Sequence, residues 1–458
     1  MKGRRNTDEW ENNCRIPPFC GTYNAPACKP TEDLPKETGT ETQKTEALTD
    51  TEAEAARYSL RIEKDASEKW TLYTDVPGVS VSHVEDCGDG RTLIICESTE
   101  VEAFDLCLSA LSEYETVSRT ELGGSRYATL RYGKHTLNVG YPAHDRRLRF
   151  TVTEDREPTE GFKVPTESSS ACEPMLIFHG LAWSEEGYKT YQSGLSILIR
   201  LSDGRFIVVD GGYSRDRDAD DIYRLIKDNT PSGSTPTIAA WLVTHAHGDH
   251  SQAVAAQLSK KYAKALRVEH VVFCQPSYTM FASEAVRGNY NAIYKAADVF
   301  SASLIRPHAG DRYYFGDAVV DVLFTPELLC PVPFTNFNTS STVYSITLAG
   351  QRIMITGDAT NEVFSVLVGA YGKSLKCDIV QVAHHGETTG APDTESIPVM
   401  QGYRHMSPSL VLWPSGEETY KKEKNRSYNL TLTLLPSVRE TVVAGDRDHI
   451  ISLPYAAE

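Results

Sequence analysis

At 458 residues, and roughly 150 residues per domain, the chain has room for about three structural units, or two units and a tail. Hydrophobic residues make up 40% and charged residues 24%, enough apolar side chains to build cores over most of the length. Acidic residues outnumber basic ones by 62 to 46, a net charge of −16, which argues against a protein that coats a phosphate backbone over its whole surface. No apolar run reaches the ~18–20 residues needed to span a bilayer, so no membrane insertion is expected. Residues 1–30 carry basic side chains but no apolar segment of the kind a secretory signal needs, and a cytoplasmic protein is expected. The ten cysteines include no CxxC pair and are expected to be buried, reduced thiols.

In chain order, residues 1–56 are expected to be a disordered tail. The stretch 31–56 is rich in Thr, Glu, Lys and Ala and has almost no large apolar residue to offset the entropy of ordering. Residues 57–160 read as a small α+β domain of unassigned role. A short strand at 92–96 precedes a helix at 100–114 with Val101, Phe104, Leu108 and Leu111 on one stripe. Alternating strands follow at 127–132, 136–141 and 148–153, the first two joined by a turn at Gly133-Lys134. Residues 161–174 are a Pro/Ser/Glu-containing linker. Residues 175–458 then alternate strands (194–201, 206–209, 239–243, 271–273, 319–324, 343–348, 352–356, 379–383, 410–413) with helices (219–227, 251–264, 361–369) and end in a strand pair over 440–453. Mixed order of this kind predicts an α/β domain of two sheets covered by helices.

The strongest chemical signal is Thr244-His245-Ala246-His247-Gly248-Asp249-His250, directly after a buried strand. Three imidazoles and a carboxylate on one tight loop suit Zn(II), Mn(II) or Fe(II). Side chains on such a loop point to either side, so His245 and His247 can hold one metal while Asp249 and His250 hold a second. Lys421, Lys422, Lys424 and Arg426, with Tyr420 and Tyr428, form the densest basic patch. Such a run is more often a solvated surface than a phosphate-binding rim.

This string resembles that of the metallo-β-lactamase superfamily of hydrolases, and the resemblance covers about residues 175–458. It implies a metallo-β-lactamase-like αββα sandwich: two mixed sheets face to face, helices outside and two divalent metal ions, Zn(II) or Mn(II), at the sandwich edge. It also implies roles for further residues. Asp210, in Val208-Val209-Asp210-Gly211-Gly212, would hold the metal loop in place without being a ligand. Asp358, in Thr356-Gly357-Asp358, would bridge both metals. One of His384 and His385 would bind the second metal, and the other would contact substrate or act as an acid. Asn338 stands where many members carry a third-motif histidine and would be a weaker ligand. That departure, with His384-His385-Gly386, is similar to the soluble hydrolase domain of competence DNA-uptake (ComEC-like) proteins.

The resemblance thus implies a metallo-hydrolase whose metal-bound hydroxide attacks a phosphodiester or other phosphoester, with Asp249, His384 and His385 as catalytic residues and a phosphoester or other small substrate as partner. DNA is a further candidate substrate. A small-molecule ester or lactone hydrolase, or a non-catalytic metal-binding module, are the alternatives. Surface or substrate contact is expected of His308 rather than metal ligation, and His449 is a weaker candidate for approaching the site.

Overall fold

The computed structural model describes residues 58–154, 160–165, 171–182, 193–257, 260–281, 284–389 and 396–456. The tail expected at 1–56, with Cys14, Cys20 and Cys28, and residues 166–170 of the expected linker lie outside them. Everything described belongs to one compact unit spanning Thr51–Glu458. Among the described residues no helix is long and apolar enough to cross a membrane. The seven described cysteines are free, and all but Cys172 are buried.

The N-terminal part opens with a hairpin, β1 (Leu60–Lys64) and β2 (Trp70–Thr74). A six-stranded antiparallel sheet follows, built from β3 (Val81–Asp86), β4 (Arg91–Ser98), β5 (Glu115–Leu122), β6 (Ser125–Tyr132), β7 (His135–Tyr141) and β8 (Arg147–Thr153) in the order β3-β4-β8-β7-β6-β5. Helix α1 (Glu102–Ala110) buries Phe104 and Cys107 against Ile94, Leu130, Val139 and Phe150 on one face. The expected helix and three strands are present. The sequence reading did not include β1, β2, β3 and β5. Strand β5 has no buried residue, so it carries no apolar signal, and its pairing with β6 is what makes it a strand.

The remainder forms two mixed sheets. The first contains β9 (Met175–Phe178), β10 (Ser196–Arg200), β11 (Phe206–Asp210), β12 (Thr237–Val243), β13 (Arg267–Val268), β14 (His270–Phe273), β15 (Ser303–Ile305) and, from the far end of the chain, β23 (His449–Ser452). Their order is β15-β14-β12-β11-β10-β9-β23, with β13 also on β12. The second runs in chain order from β16 (Arg312–Phe315) through β17 (Ala318–Phe324), β18 (Val343–Leu348), β19 (Gln351–Ile355), β20 (Ile379–Gln381) and β21 (Leu410–Trp413) to β22 (Glu440–Val443).

Alternate residues of each central strand feed two different cores, which explains their unbroken apolar runs. Ile207 and Val209 of β11, with Leu242, Val320, Ile346 and Ile353, pack between the sheets. Phe206, Val208 and Trp241 face outward, under α2 (Asp216–Asp228), α3 (Gly248–Ala256) and α4 (Glu284–Phe300). On the other side Met354 and Trp413 lie under α5 (Asn361–Tyr371), α6 (Ile397–Met406) and α8 (Ser427–Thr433), which follows the short α7 (Glu417–Glu423). The architecture is the expected αββα sandwich. Several helices differ from expectation, among them α6, α7 and α8, which the sequence reading did not include. Helix α3 starts three residues before the predicted 251, so Asp249 and His250 sit in its first turn. Helix α4 was not anticipated, although Val286, Tyr290, Ile293 and Ala297 recur at helical spacing on its buried side.

The six-stranded sheet is not an appended module. Its second face, Leu93 and Ile95, packs with Met280 and Cys330 of the sandwich. The side chain of Arg91 is fully buried there. It donates from Nε to Asp89 (2.9 Å), from Nη1 to Glu327 (2.7 Å) and from Nη2 to the Gln275 carbonyl (2.7 Å). Removing one member of a buried ionic cluster strands the others without compensation. Arg91→Ala is therefore expected to lower unfolding free energy by about 3–5 kcal/mol, and denaturant titration would measure it. A loss near zero would mean that water reaches the two carboxylates.

Candidate metal centre

The site lies at the sandwich edge, where loops following β11, β12, β19 and β20 meet. Strand β12 delivers Thr244 and His245, and the loop passes through His247 into α3. Thr356-Gly357-Asp358 follows β19, and His384-His385-Gly386 follows β20. Gln381 ties the two loops together: its Oε1 accepts from Thr356 N (2.8 Å), and its Nε2 donates to the Gly357 carbonyl (2.9 Å). Gly357 has φ +53°, and a Cβ there would sit 2.9 Å from Thr244 Cβ, so this close approach requires glycine.

Two three-donor sets result. His245, His247 and Asp358 form one, and Asp249, His250 and His385 the other. Within each, the ligand atoms lie within 4.8 Å of one another. Asp358 faces both sets. Its Oδ2 is 3.8 Å from His245 Nε2, and its Oδ1 is 3.2 Å from His250 Nε2 and 3.5 Å from His385 Nε2. Asp249 Oδ2 lies 3.2 Å from His385 Nε2.

Hydrogen bonds on the far side of each ring set the tautomers. His250 Nδ1 lies 2.7 Å from Asp210 Oδ2 and His385 Nδ1 lies 2.8 Å from the Pro414 carbonyl. Both partners only accept, and for His385 the Pro414 contact is shorter than that of the Gly194 amide (3.3 Å), so both Nδ1 atoms carry the proton. The two Nε2 atoms then face each other at 3.3 Å beside two carboxylates, and in the neutral rings they present lone pairs. Thr244 donates its hydroxyl to Asp210 Oδ2 (2.7 Å), leaving its oxygen to accept from His245 Nδ1 (3.1 Å). His245 Nε2 therefore also presents a lone pair, 3.1 Å from His247 Nδ1. Converging lone pairs of this kind fit cations. Asp358 Oδ1 and Asn338 Oδ1 are buried without a hydrogen-bond partner, which is a second sign of the same fit. The donors are imidazole nitrogen and carboxylate oxygen, with no sulfur, a set that suits Zn(II), Mn(II) or Fe(II).

Electrostatics differ between the sets. Burial holds His245 and His247 below the ordinary imidazole range, so they stay neutral with lone pairs available. Burial also works against a charged His385, but the Asp358 and Asp249 carboxylates outweigh it and push the ring up to about 10. His250 is raised for the same reason, with Asp210 adding to the effect. Protons and metal ions thus compete for the second set.

Asp210 stands outside both sets, where the sequence reading put it. The histidine pair divides: His385 joins the second set, and His384 joins neither. The Nδ1 of His384 donates to the Thr388 carbonyl, and its Nε2 lies 2.9 Å from Asn338 Nδ2 and 3.9 Å from Asp358 Oδ2. His308 does not reach the surface as expected. It is buried, with Nδ1 2.8 Å from Glu327 Oε2, because the N-terminal sheet covers it. His449 Nε2 lies 3.1 Å from the Ala444 carbonyl and is in neither set. In the basic patch, Glu423 pairs with Lys422 (2.9 Å) and with Arg426, and the Tyr428 hydroxyl donates to the Glu387 carbonyl. Sequence reasoning missed Phe337, whose ring packs 5.0 Å from His247 and 6.0 Å from His245, and the supporting Gln381 and Trp413. Phe337 and Gln381 stand beside motif residues, next to Asn338 and three before His384, but were not singled out, and Trp413 lies in no motif. Each is an ordinary core residue until the fold closes.

Asp210 has φ +52°, a conformation asparagine tolerates well, so Asp210→Asn isolates its acceptor role. The variant is expected to fold but to bind metal about 10–100-fold more weakly, as measured by chelator competition. Unchanged affinity would rule out Asp210 as the group that orients His250.

The metallo-beta-lactamase superfamily family model matches residues 190–394. No curated protein matches the chain. Among solved structures, the chain is similar to the metallo-beta-lactamase fold protein YhfI from Bacillus subtilis at 12% identity, covering 61% of this chain and 99% of that one, with a TM-score of 0.38. It is similar to Zn(2+)-bound PqqB from Methylobacterium extorquens at 10% identity, covering 61% and 100%, with a TM-score of 0.37. It is also similar to unliganded yeast PDE1 at 12% identity, covering 62% and 100%, with a TM-score of 0.37. Residues 190–394, the central part of the αββα sandwich, thus carry the match to the metallo-β-lactamase superfamily.

Proposed function

We propose that the chain hydrolyses a phosphoester, with a phosphodiester as first choice, using two divalent ions, Zn(II) or Mn(II). The observation that carries this reading is Asp358, one buried carboxylate whose two oxygens face two separate donor sets. Paired sites of this kind serve in-line displacement at phosphorus. His245, His247 and Asp358 would hold one ion, and Asp249, His250, His385 and the same Asp358 the other. Asn338 Oδ1, buried without a partner, is a further oxygen donor for the first ion. When bound, such ions bring the pKa of a coordinated water towards neutrality and offset charge developing on the attacked group.

The protein side chains supply orientation and proton handling. Asp249, whose side chain is 20% exposed, is open to solvent and can accept a hydrogen bond from the attacking water. His384 lies outside both sets, with its Nδ1 proton committed to the Thr388 carbonyl. Its Nε2 accepts from Asn338 Nδ2 (2.9 Å), which fixes the ring beside the centre, where it can contact the substrate. Glu423 offsets part of the charge of Lys422 and Arg426, and with the net charge of −16 this favours a small phosphoester over a long nucleic acid.

The test compares metal-depleted protein reloaded with Zn(II) or Mn(II) on bis(p-nitrophenyl) phosphate, on p-nitrophenyl butyrate and on single-stranded DNA. Turnover of the phosphodiester is expected to return with metal and to fall about 100-fold or more in Asp358→Ala. Little change between 50 and 200 mM salt would fit a small substrate, whereas a steep loss would move the reading to nucleic acid. Turnover of the carboxylic ester alone would overturn the phosphoester assignment.

A further inference from the structure

A second, chemically different cluster lies away from the centre just described, where β3 of the N-terminal sheet meets the sandwich. It comprises His83 and Glu85 on β3 and Cys330, which follows the 3₁₀ turn Pro326–Leu329. Their ligand atoms lie within 4.8 Å of one another, although some 245 residues of chain separate Glu85 from Cys330. The carboxylate is held as a ligand would be. Its Oε1 accepts from the Ser277 hydroxyl (2.5 Å) and from the Thr279 hydroxyl, and Oε2 is left 3.2 Å from His83 Nε2. Burial alone would raise the Glu85 carboxyl. The two hydroxyls and His83 outweigh it and hold the group below its ordinary range, so Glu85 is an anion in a nearly closed site. Cys330 is buried and free.

We propose that His83, Glu85 and Cys330 form a structural zinc site that joins the N-terminal sheet to the hydrolase domain. One imidazole nitrogen, one carboxylate oxygen and one sulfur make a donor set suited to a borderline-soft divalent ion, and Zn(II) is the common ion that takes all three. The two hydroxyls on Glu85 Oε1 are the outer partners that such a carboxylate ligand requires. The side chain of His83 is 34% exposed, and a water on that side can complete four-coordination. Binding exchanges the Cys330 thiol proton for a zinc–sulfur bond. The proton leaves to solvent and no electron is transferred. The ion would tie three segments together: β3, the turn before Cys330, and the loop after β14 that carries Ser277 and Thr279. The proposal does not depend on the reaction at the main centre.

Because the main centre contains no sulfur, cobalt substitution separates the two sites. Metal-depleted full-length protein would be titrated with Co(II), and the near-ultraviolet sulfur-to-cobalt charge-transfer band followed. The band is expected in the wild type and in Asp358→Ala, and is expected to disappear in Cys330→Ser and His83→Ala. His83 is partly exposed, so its variant remains informative if the buried Cys330→Ser fails to fold, and circular dichroism identifies that case. In the Asp358→Ala background, Zn(II) is expected to raise the unfolding midpoint, and that rise is expected to vanish when His83→Ala is added. The proposal is overturned if folded wild type shows no band at saturating Co(II). It is equally overturned if the band persists in His83→Ala, or if it is lost in Asp358→Ala while the fold is kept.

Discussion

The centre depends on one buried carboxylate that is not itself a ligand. Asp210 accepts from the Thr244 amide, the Thr244 hydroxyl and His250 Nδ1, at 2.7–2.8 Å, with no exposed surface. A buried anion with fewer partners would be costly, so the surrounding loop must adopt the one shape that supplies all three donors. That shape fixes two tautomers together. His250 is fixed directly, and His245 through the Thr244 hydroxyl. A single residue thereby turns the Nε2 lone pair of one imidazole in each donor set towards the same space.

The opposite wall reaches its geometry through backbone strain. His384 and His385 both have positive φ, 49° and 54°, a region that costs non-glycine residues about 1–3 kcal/mol each. Specific bonds hold them there. His384 N donates to the Gly357 carbonyl, and Trp413 Nε1 donates to the His385 carbonyl (2.8 Å). Gly386 completes the turn, where a Cβ would lie 2.2 Å from the Trp413 ring. The strain explains how two neighbouring histidines separate, one into the second donor set and the other beside Asn338. An extended or helical backbone would not present both towards Asp358.

The N-terminal sheet contributes to the same site by packing. Its buried Arg91 bonds the Gln275 carbonyl, and its Glu85 bonds Ser277 and Thr279, so it grips the loop that follows β14. That loop carries Phe281, whose ring lies 4.9 Å from Phe337, and Phe337 in turn packs against His247 and precedes Asn338. A continuous run of packed side chains therefore connects the small sheet with the wall behind the first donor set.

Much of the sandwich was legible from local pattern. Residues 206–210 and 239–243 are apolar without alternation because both faces are covered, and such runs identify central strands of a layered α/β fold. The 245–250 string was also legible, because it follows such a strand and concentrates donor chemistry, whereas Asp210, Asp358 and the His384-His385 pair were singled out by the resemblance to the superfamily's motifs. Strand β5 was not, since an exposed edge strand is defined by its partner and not by its own residues. Nor was the burial of His308, which requires a second sheet to cover it. Local sequence by itself determined which residues carry lone pairs and that they lie on loops after rigid strands. Only the tertiary structure decided which lone pairs meet, that Asp358 faces two sets, that His385 and not His384 joins one of them, and that the N-terminal sheet is part of the same body. Those outcomes depend on contacts between segments tens to hundreds of residues apart, and no local periodicity encodes them.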